Sequence, residues 1–345
     1  MTKSALLLAS LVLLSLAAPS GAAEAPPNEK TPTALPNKKI KLKDGRTVIG
    51  FSPSGRLAAV VDKDQHVAII ELAGERDILT TTGRGAQFAP DEQKAFVLET
   101  DFSTVKAFSI ASGKQESNIA NQRFPILIPP DGKTLISDYE PFDGHGSEID
   151  ICDAATGKKL FILPYSGHGD AVMALSLSDD GTRLAASMQI FVGTVAFGIE
   201  PVNVWDLPSK KLLLSIQPHV TESCGHVDAI SLSHDGKLLA TSGCDGAFRI
   251  WDVESGKKVF EREQATFGLF SYDDTLLAFS RPKEIRLLDW RQDKYVLTLD
   301  DNAAETWTPS VVAYSKDGKT LLAGGTDGFI RIWTLPVVQP QTPKK

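Results

Sequence analysis

Short apolar runs alternate with compact polar turns along almost the whole chain. One turn phrase occurs seven times: FSPSGRLAA at Phe51, FAPDEQKAF at Phe88, IPPDGKTLI at Ile128, LSDDGTRLA at Leu177, LSHDGKLLA at Leu232, FSYDDTLLA at Phe270 and YSKDGKTLL at Tyr314. Asp-Gly between two apolar runs supplies the positive φ that a tight hairpin requires. Each copy therefore predicts a strand, a turn and a second strand.

Two further strands are predicted after each copy of the phrase. A β-branched or aromatic run comes first, as in VNVWD at Val202, FRIWD at Phe248 and FIRIWT at Phe329. A weaker run then follows a Ser-Gly-Lys type turn, as in ESGKK at Glu254. The seven copies are spaced by about 44 residues on average, which is typical of a four-stranded propeller blade. The pattern predicts an all-β, seven-bladed β-propeller.

The seventh copy has only three strands, because the chain ends soon after Trp333. The alternating segment KKIKLK, residues 38–43, precedes the first copy and can supply the missing strand. Pairing the two ends would close the ring and remove two exposed strand edges. We therefore predict a propeller over residues 38–336, closed by an N-terminal strand, and a flexible tail over 337–345.

The N-terminus has the pattern of a secretory signal peptide over residues 1–23. Lys3 precedes an apolar run from Ala5 to Ala18, and small residues end at Ala23. The run is shorter than the roughly 20 residues that span a bilayer, which makes an uncleaved anchor the weaker alternative. Residues 24–37 contain four prolines and are interpreted as a linker. The mature protein is thus expected in the periplasm or outside the cell, without a membrane span.

The charge balance excludes some classes of partner. Lys and Arg number 36 against 43 Asp and Glu, which gives a formal net charge of -7. A chain without a basic patch is a poor ligand for nucleic acid or an anionic membrane. We expect a monomeric propeller whose partners are proteins.

Two segments, GKLLATSGCDGAFRIWD at Gly236 and GKTLLAGGTDGFIRIWT at Gly318, resemble the WD-repeat family. Trp-Asp pairs stand at 205–206 and 251–252, and Gly-His pairs at 167–168 and 225–226. The resemblance implies a structural hydrogen-bond network within a blade. Its predicted members are His226, Thr241 or Ser242, Asp245 and Trp251 in the fifth blade, His168, Ser187 and Trp205 in the fourth, and Asp327 and Trp333 in the seventh.

The same resemblance bears on the three cysteines. If His226 bonds to Asp245 as the family implies, Cys224 and Cys244 come close together, and export would expose them to an oxidising compartment. A Cys224–Cys244 disulfide is therefore a hypothesis, and Cys152 would remain a buried thiol.

Motifs for catalysis are missing from the sequence. The predicted innermost strands are almost wholly apolar, and neither Gly-x-Ser-x-Gly, His-Glu-x-x-His nor Cys-x-x-Cys occurs. In the loop 142–150, Asp143, His145 and Glu148 could approach a cation, but three candidates from one short loop favour a solvated loop over a metal site. We expect no cofactor and no catalytic residue. A metal-dependent propeller hydrolase or lactonase is the alternative function.

The connection over residues 187–206 of the fourth blade is unusually long and apolar. Phe191, Val195, Phe197 and Ile199 lie within it. It is interpreted either as a β-hairpin arm that presents a binding patch or as a lengthened hairpin packed over the propeller. Together these features favour an exported, non-catalytic, protein-binding scaffold.

Overall fold

The computed structural model describes residues 31–336, except 44, 102, 121–122, 140–147, 164–170, 190, 193–194, 197–200, 221–226, 264–267 and 303–306. Every regular element in this described part is a β-strand. Two short strands, β1 (Thr33–Ala34) and β2 (Lys38–Lys41), come first. Seven successive sheets follow and form the blades of a propeller, so the predicted all-β, seven-bladed fold is confirmed.

Each blade runs from an inner to an outer strand in chain order, with connections that are mostly tight turns. The first three blades are β3 (Thr47–Phe51), β4 (Leu57–Val61), β5 (His66–Glu71) and β6 (Arg76–Thr82); β7 (Gly85–Phe88), β8 (Lys94–Leu98), β9 (Thr104–Ser109) and β10 (Gln115–Ala120); and β11 (Arg123–Leu127), β12 (Thr134–Tyr139), β13 (Glu148–Asp153) and β14 (Lys159–Leu163).

The fourth blade carries an extra two-stranded hairpin between its second and third strands. Its strands are β15 (Ala171–Leu177), β16 (Arg183–Gln189), β19 (Val202–Asp206) and β20 (Lys211–Ile216), and the hairpin is β17 (Phe191–Val192) with β18 (Val195–Ala196). The last three blades are β21 (Val227–Leu232), β22 (Leu238–Gly243), β23 (Ala247–Asp252) and β24 (Lys258–Glu263); β25 (Gly268–Phe270), β26 (Leu276–Arg281), β27 (Glu284–Asp289) and β28 (Lys294–Asp300); and β29 (Pro309–Tyr314), β30 (Thr320–Gly325) and β31 (Phe329–Thr334).

The seven turn phrases form seven equivalent turns between the first and second strands of the blades. In each turn an amide donates to the carbonyl three residues earlier, as from Gly55 to Ser52 and from Gly236 to Ser233. The donating residue has a positive φ in all seven turns, including Glu92 and Asp274, which stand where the other five have glycine. The backbone therefore requires the left-handed conformation even where the sequence does not supply glycine.

Hydrophobic packing occurs mainly between neighbouring blades. One cluster joins Ile69 of the first blade to Val97 of the second, and another joins Val204 of the fourth to Leu239 of the fifth. A third joins Val60 of the first blade to Leu322 of the seventh, so the apolar contacts continue around the ring. Because both faces of a blade are covered, the middle strands are apolar at consecutive positions, as in β4.

The N-terminal strand closes the ring, as predicted. Strand β2 pairs antiparallel with β31, with Lys38 opposite Ile332 and Lys41 opposite Phe329. Strand β1 lies within the segment interpreted as a linker, yet it pairs parallel with β28, which makes the sixth blade five-stranded. Both blades at the closure therefore contain N-terminal residues.

The chain termini fall outside the described residues. This applies to the predicted signal peptide over residues 1–23 and to the predicted tail over 337–345. Across the described residues, no helix is both long and apolar enough to cross a membrane.

Candidate functional site

A chain of hydrogen bonds crosses the fifth blade from its third strand to the loop that precedes its first strand. The Trp251 indole donates to Thr241 Oγ1 at 3.1 Å, and this oxygen lies 3.0 Å from His219 Nε2. His219 Nδ1 lies 2.8 Å from Asp245 Oδ1. Arg249 Nη1 donates to the other carboxylate oxygen of Asp245 at 2.6 Å.

Burial sets the protonation state of this network. Desolvation lowers the pKa of His219 below its ordinary value, even though Asp245 opposes the shift. In the neutral imidazole one nitrogen donates and the other accepts. Donation from Nδ1 to Asp245 and acceptance at Nε2 from the Thr241 hydroxyl accounts for these two contacts, while Arg249 Nη1 also lies 2.7 Å from Nδ1. The bonds connect β22, β23 and the loop that precedes β21, so the network stabilises the blade.

The sequence-based assignment of the histidine differs from the structure. His219, not His226, contacts Asp245 and Thr241, while His226 lies outside the described residues. The Gly-His pattern indicated His226, whereas His219 stands three residues beyond the end of β20 in a Gln-Pro-His segment. Of the two hydroxyl candidates, Thr241 is the one used. The buried Ser242 Oγ has no hydrogen-bond partner among the described residues.

In the fourth blade the register places different residues at the positions of the fifth-blade network. Trp205 is fully buried and pairs in register with Leu184, as Trp251 does with Leu239. This register places Ala186 where the fifth blade has Thr241, and Ser187 where it has Ser242. The buried Ser187 Oγ has no hydrogen-bond partner within the described part of the chain, so its predicted place in the network is not confirmed. His168 lies outside the described residues.

The seventh blade uses its predicted residues in a different network. Trp333 Nε1 donates to the backbone carbonyl of Ala34 in β1 at 3.2 Å, because Ala323 stands where Thr241 would. Asp327 accepts two bonds from the fully buried Arg331, at 3.0 and 2.5 Å.

The Arg331 guanidinium also binds a second carboxylate. Its Nε donates to Asp301 Oδ2 at 2.6 Å, and Lys39 of β2 binds the same oxygen at 2.8 Å. The guanidinium lies 3.8 Å from the ring centre of the buried Trp307. The positive charges of Lys39 and Arg331 are thus balanced by the carboxylates of Asp301 and Asp327 where the ring closes. The sequence patterns did not indicate this cluster.

The aspartate of the Trp-Asp motif caps the turn between the third and fourth strands. Asp252 Oδ1 accepts from the Ser255 amide at 2.7 Å and from its hydroxyl at 2.6 Å. Asp153 binds Thr156 in the same way. The hydroxyl bonds of Ser255 and Thr156 hold the pKa values of Asp252 and Asp153 below their ordinary range.

These turn carboxylates predict a loss of stability in acid. Their pKa values are lower in the folded than in the unfolded chain, so their contribution is present above the unfolded value of about 4 and lost as the pH falls through the folded values. We expect the urea midpoint to decrease from pH 5 to pH 3. A midpoint that stays constant or rises on acidification would contradict this.

Cys244, next to the network aspartate, is disulfide-bonded, and Cys152 is a buried thiol. Cys224 lies outside the described residues, so its pairing with Cys244 stays a prediction. We expect one alkylated thiol when the mature protein is denatured without reductant and mapped by mass spectrometry. Three alkylated thiols would exclude the bridge. Closing the loop between the two cysteines would stabilise the folded protein by roughly 3 kcal/mol at most.

The two candidate surface features are described only in part. Asp143 and His145 lie outside the described residues, and Glu148 begins β13. No group of three metal-ligating side chains occurs among the residues that the structure describes. In the fourth blade, Phe191 pairs with Ala196 and Val192 with Val195, which gives a hairpin separate from the blade sheet. Phe197 and Ile199 lie outside the described residues.

Comparison with known proteins identifies the repeat. The profile of the family described as WD domain, G-beta repeat matches residues 157–189, 210–252 and 296–334. Each matched segment contains the outer strand of one blade and the first strands of the next. The second segment contains all of His219, Thr241, Asp245 and Trp251, so the sequence repeat is offset from the blade.

Several curated proteins are similar to part of the chain. Cross-pathway control WD-repeat protein 2 of Flammulina velutipes is 32% identical over 143 residues, which cover 39% of this chain and 44% of that protein. Small ribosomal subunit protein RACK1y of Oryza sativa subsp. japonica is 29% identical over 139 residues, covering 38% and 40%. The chain thus spans less than half the length of these relatives. With seven four-stranded blades and three segments that match this profile, the chain is a seven-bladed β-propeller that contains WD repeats.

Proposed function

We propose that this protein is an exported, non-catalytic scaffold that binds another protein through the extended connection of its fourth blade. The observation that carries the proposal is the β17–β18 hairpin, which forms a sheet separate from that of the fourth blade, whereas the other described connections between second and third strands are short. Loops on a rigid scaffold are common binding elements. The WD-repeat relatives support a role in protein interaction.

The composition of the connection supports contact with a partner. Phe191, Val195, Phe197 and Ile199 place several large apolar side chains in one short segment. Large apolar groups concentrated on a connecting segment mark protein interaction sites when they are exposed. Export is supported by the signal-peptide pattern of residues 1–23.

The test is affinity capture of partners by the mature protein from the periplasmic or extracellular fraction. The double variant F191S/F197S should lose captured partners while it keeps its thermal unfolding midpoint. Leu35→Ser, which removes an exposed leucine on the strap between β1 and β2, is the matched control and should capture normally. If F191S/F197S unfolds more easily yet captures the same partners, the connection packs on the propeller and the binding proposal is wrong.

Metal analysis of the same preparation separates the scaffold from a hydrolase. We expect no stoichiometric cation and no hydrolysis of model esters or lactones. A bound cation at one equivalent that is required for hydrolysis would overturn the non-catalytic part of the proposal.

A further inference from the structure

The exposed side chains on the outer strands of the blades differ in polarity around the ring. Exposed large hydrophobic side chains concentrate on the outer strands of the third to fifth blades: Leu160 and Ile162 on β14, Leu212 and Leu213 on β20, and Val259 on β24. They are between 39% and 51% exposed. On a strand that faces only water, these positions are normally polar.

The outer strands of the first two blades show that normal pattern. The exposed positions of β6 are Arg76, Asp77, Thr80 and Thr82, and those of β10 are Gln115, Glu116, Asn118 and Ala120. The ring therefore has a polar and an apolar section of outer edge, although the blades share one architecture. Packing within the blade does not explain the difference, because these side chains remain substantially exposed to solvent.

An outer edge of this propeller already binds an extended segment. Thr33 and Ala34 pair in parallel with Thr298 and Leu299 of β28, and the Thr298 amide donates to the Pro32 carbonyl at 2.8 Å. The added strand makes the sixth blade five-stranded. An unpaired outer strand presents the same row of backbone donors and acceptors, which is the basis of strand addition by a peptide.

Lysines flank the apolar positions in the third and fourth blades. Lys158, Lys159, Lys210 and Lys211 are all exposed at the starts of β14 and β20. Lys159 pairs with Asp150, and the Lys210 ammonium lies 4.0 Å from the ring centre of Phe161 on β14. Lys210 thus connects the turn of the fourth blade to the outer strand of the third. These lysines place cationic groups at one end of both outer strands, in a chain whose net charge is -7.

We propose that the outer edge of the third and fourth blades binds an extended, acidic segment of a partner protein by strand addition. Apolar side chains of the segment, at every second position, cover Leu160 and Ile162 of β14 or Leu212 of β20. Its carboxylates meet the lysines at the starts of these strands. A second copy of this chain fits less well, since β14 and β20 contain no carboxylate that could meet the lysines of a facing edge.

The test uses the full-length mature protein and two labelled peptides of equal length. In one, valine alternates with glutamate, and in the other valine alternates with lysine. Fluorescence anisotropy should detect binding of the glutamate peptide only, with an affinity that weakens as salt is added. I162E/L212E should weaken binding by about tenfold or more, equivalent to about 1.4 kcal/mol. Asn118→Glu, an exposed position on the outer strand β10, is the matched control and should bind like the unaltered protein.

Three results would overturn the proposal. They are equal binding of both peptides, binding that I162E/L212E leaves unchanged, and no binding of the glutamate peptide by a protein with a normal unfolding midpoint. Sedimentation that shows a dimer abolished by I162E/L212E would also overturn it, because the edge would then be a contact between copies. This edge does not include the β17–β18 hairpin, so capture by the F191S/F197S variant tests the proposed function separately.

Discussion

Arg331→Met is expected to destabilise the protein by about 3–5 kcal/mol. Removing the partner of a buried ion pair leaves an uncompensated buried charge, which accounts for a loss of that size. Here Arg331 is fully buried and binds both Asp301 and Asp327. Lys39 would still contact Asp301, but Asp327 would lose both of its guanidinium bonds. Chemical denaturation, followed by tryptophan fluorescence, measures the change in the free energy of unfolding.

Two further variants test whether the loss of stability comes from the unpaired charge left by Arg331→Met. Arg76→Met breaks the pair with Glu71, but its side chain is 71% exposed, so the unfolding midpoint should stay within error. Adding Asp327→Asn to Arg331→Met should recover part of the loss, because one buried carboxylate is removed. An equal effect of Arg331→Met and Arg76→Met would show that the cluster contributes little to stability.

Thr241→Val is expected to decrease the free energy of unfolding by about 2–4 kcal/mol, because it leaves one buried and one partly buried polar group without partners. The Trp251 indole N–H and His219 Nε2 both lie within hydrogen-bonding distance of Thr241 Oγ1, at 3.1 and 3.0 Å. Valine has nearly the same shape as threonine, so the loss reports the missing hydroxyl and not a cavity. The free energy of unfolding by urea at neutral pH is the measurement.

The neighbouring hydroxyl provides the control. Ser242 Oγ is buried and has no hydrogen-bond partner among the described residues, so Ser242→Ala should be neutral or slightly stabilising. Similar losses for the two variants would argue against the bonded chain from Trp251 to Asp245.

The ring and its closure could be predicted from the sequence because both depend on local patterns. The turn phrase requires a positive φ, and this holds even at Glu92 and Asp274, where apolar runs on both sides identify the turn without glycine. The closing strand was predicted because KKIKLK alternates in polarity and the seventh blade lacks one strand.

The side-chain contacts between residues distant in the sequence could not be predicted in the same way. A Gly-His pair does not determine which histidine enters the blade, and His219 reaches Asp245 from a loop 26 residues earlier. Asp301 reaches Arg331 from the loop that follows β28, 30 residues before it. Strand β1 binds through backbone groups alone, so Thr33 and Ala34 carry no side-chain pattern that would indicate pairing.

The position of β2 has a consequence for the order of folding. Its residues precede those of the seven blades, whereas its partner β31 is the last strand of the described residues. The first six blades can form their own hairpins in sequence, but the seventh blade is complete only when β31 pairs with β2. Because the final pairing joins segments about 290 residues apart, closure is a late event of high contact order. Until β31 pairs with β2, the blades therefore form an open arc with an unpaired strand edge at each end.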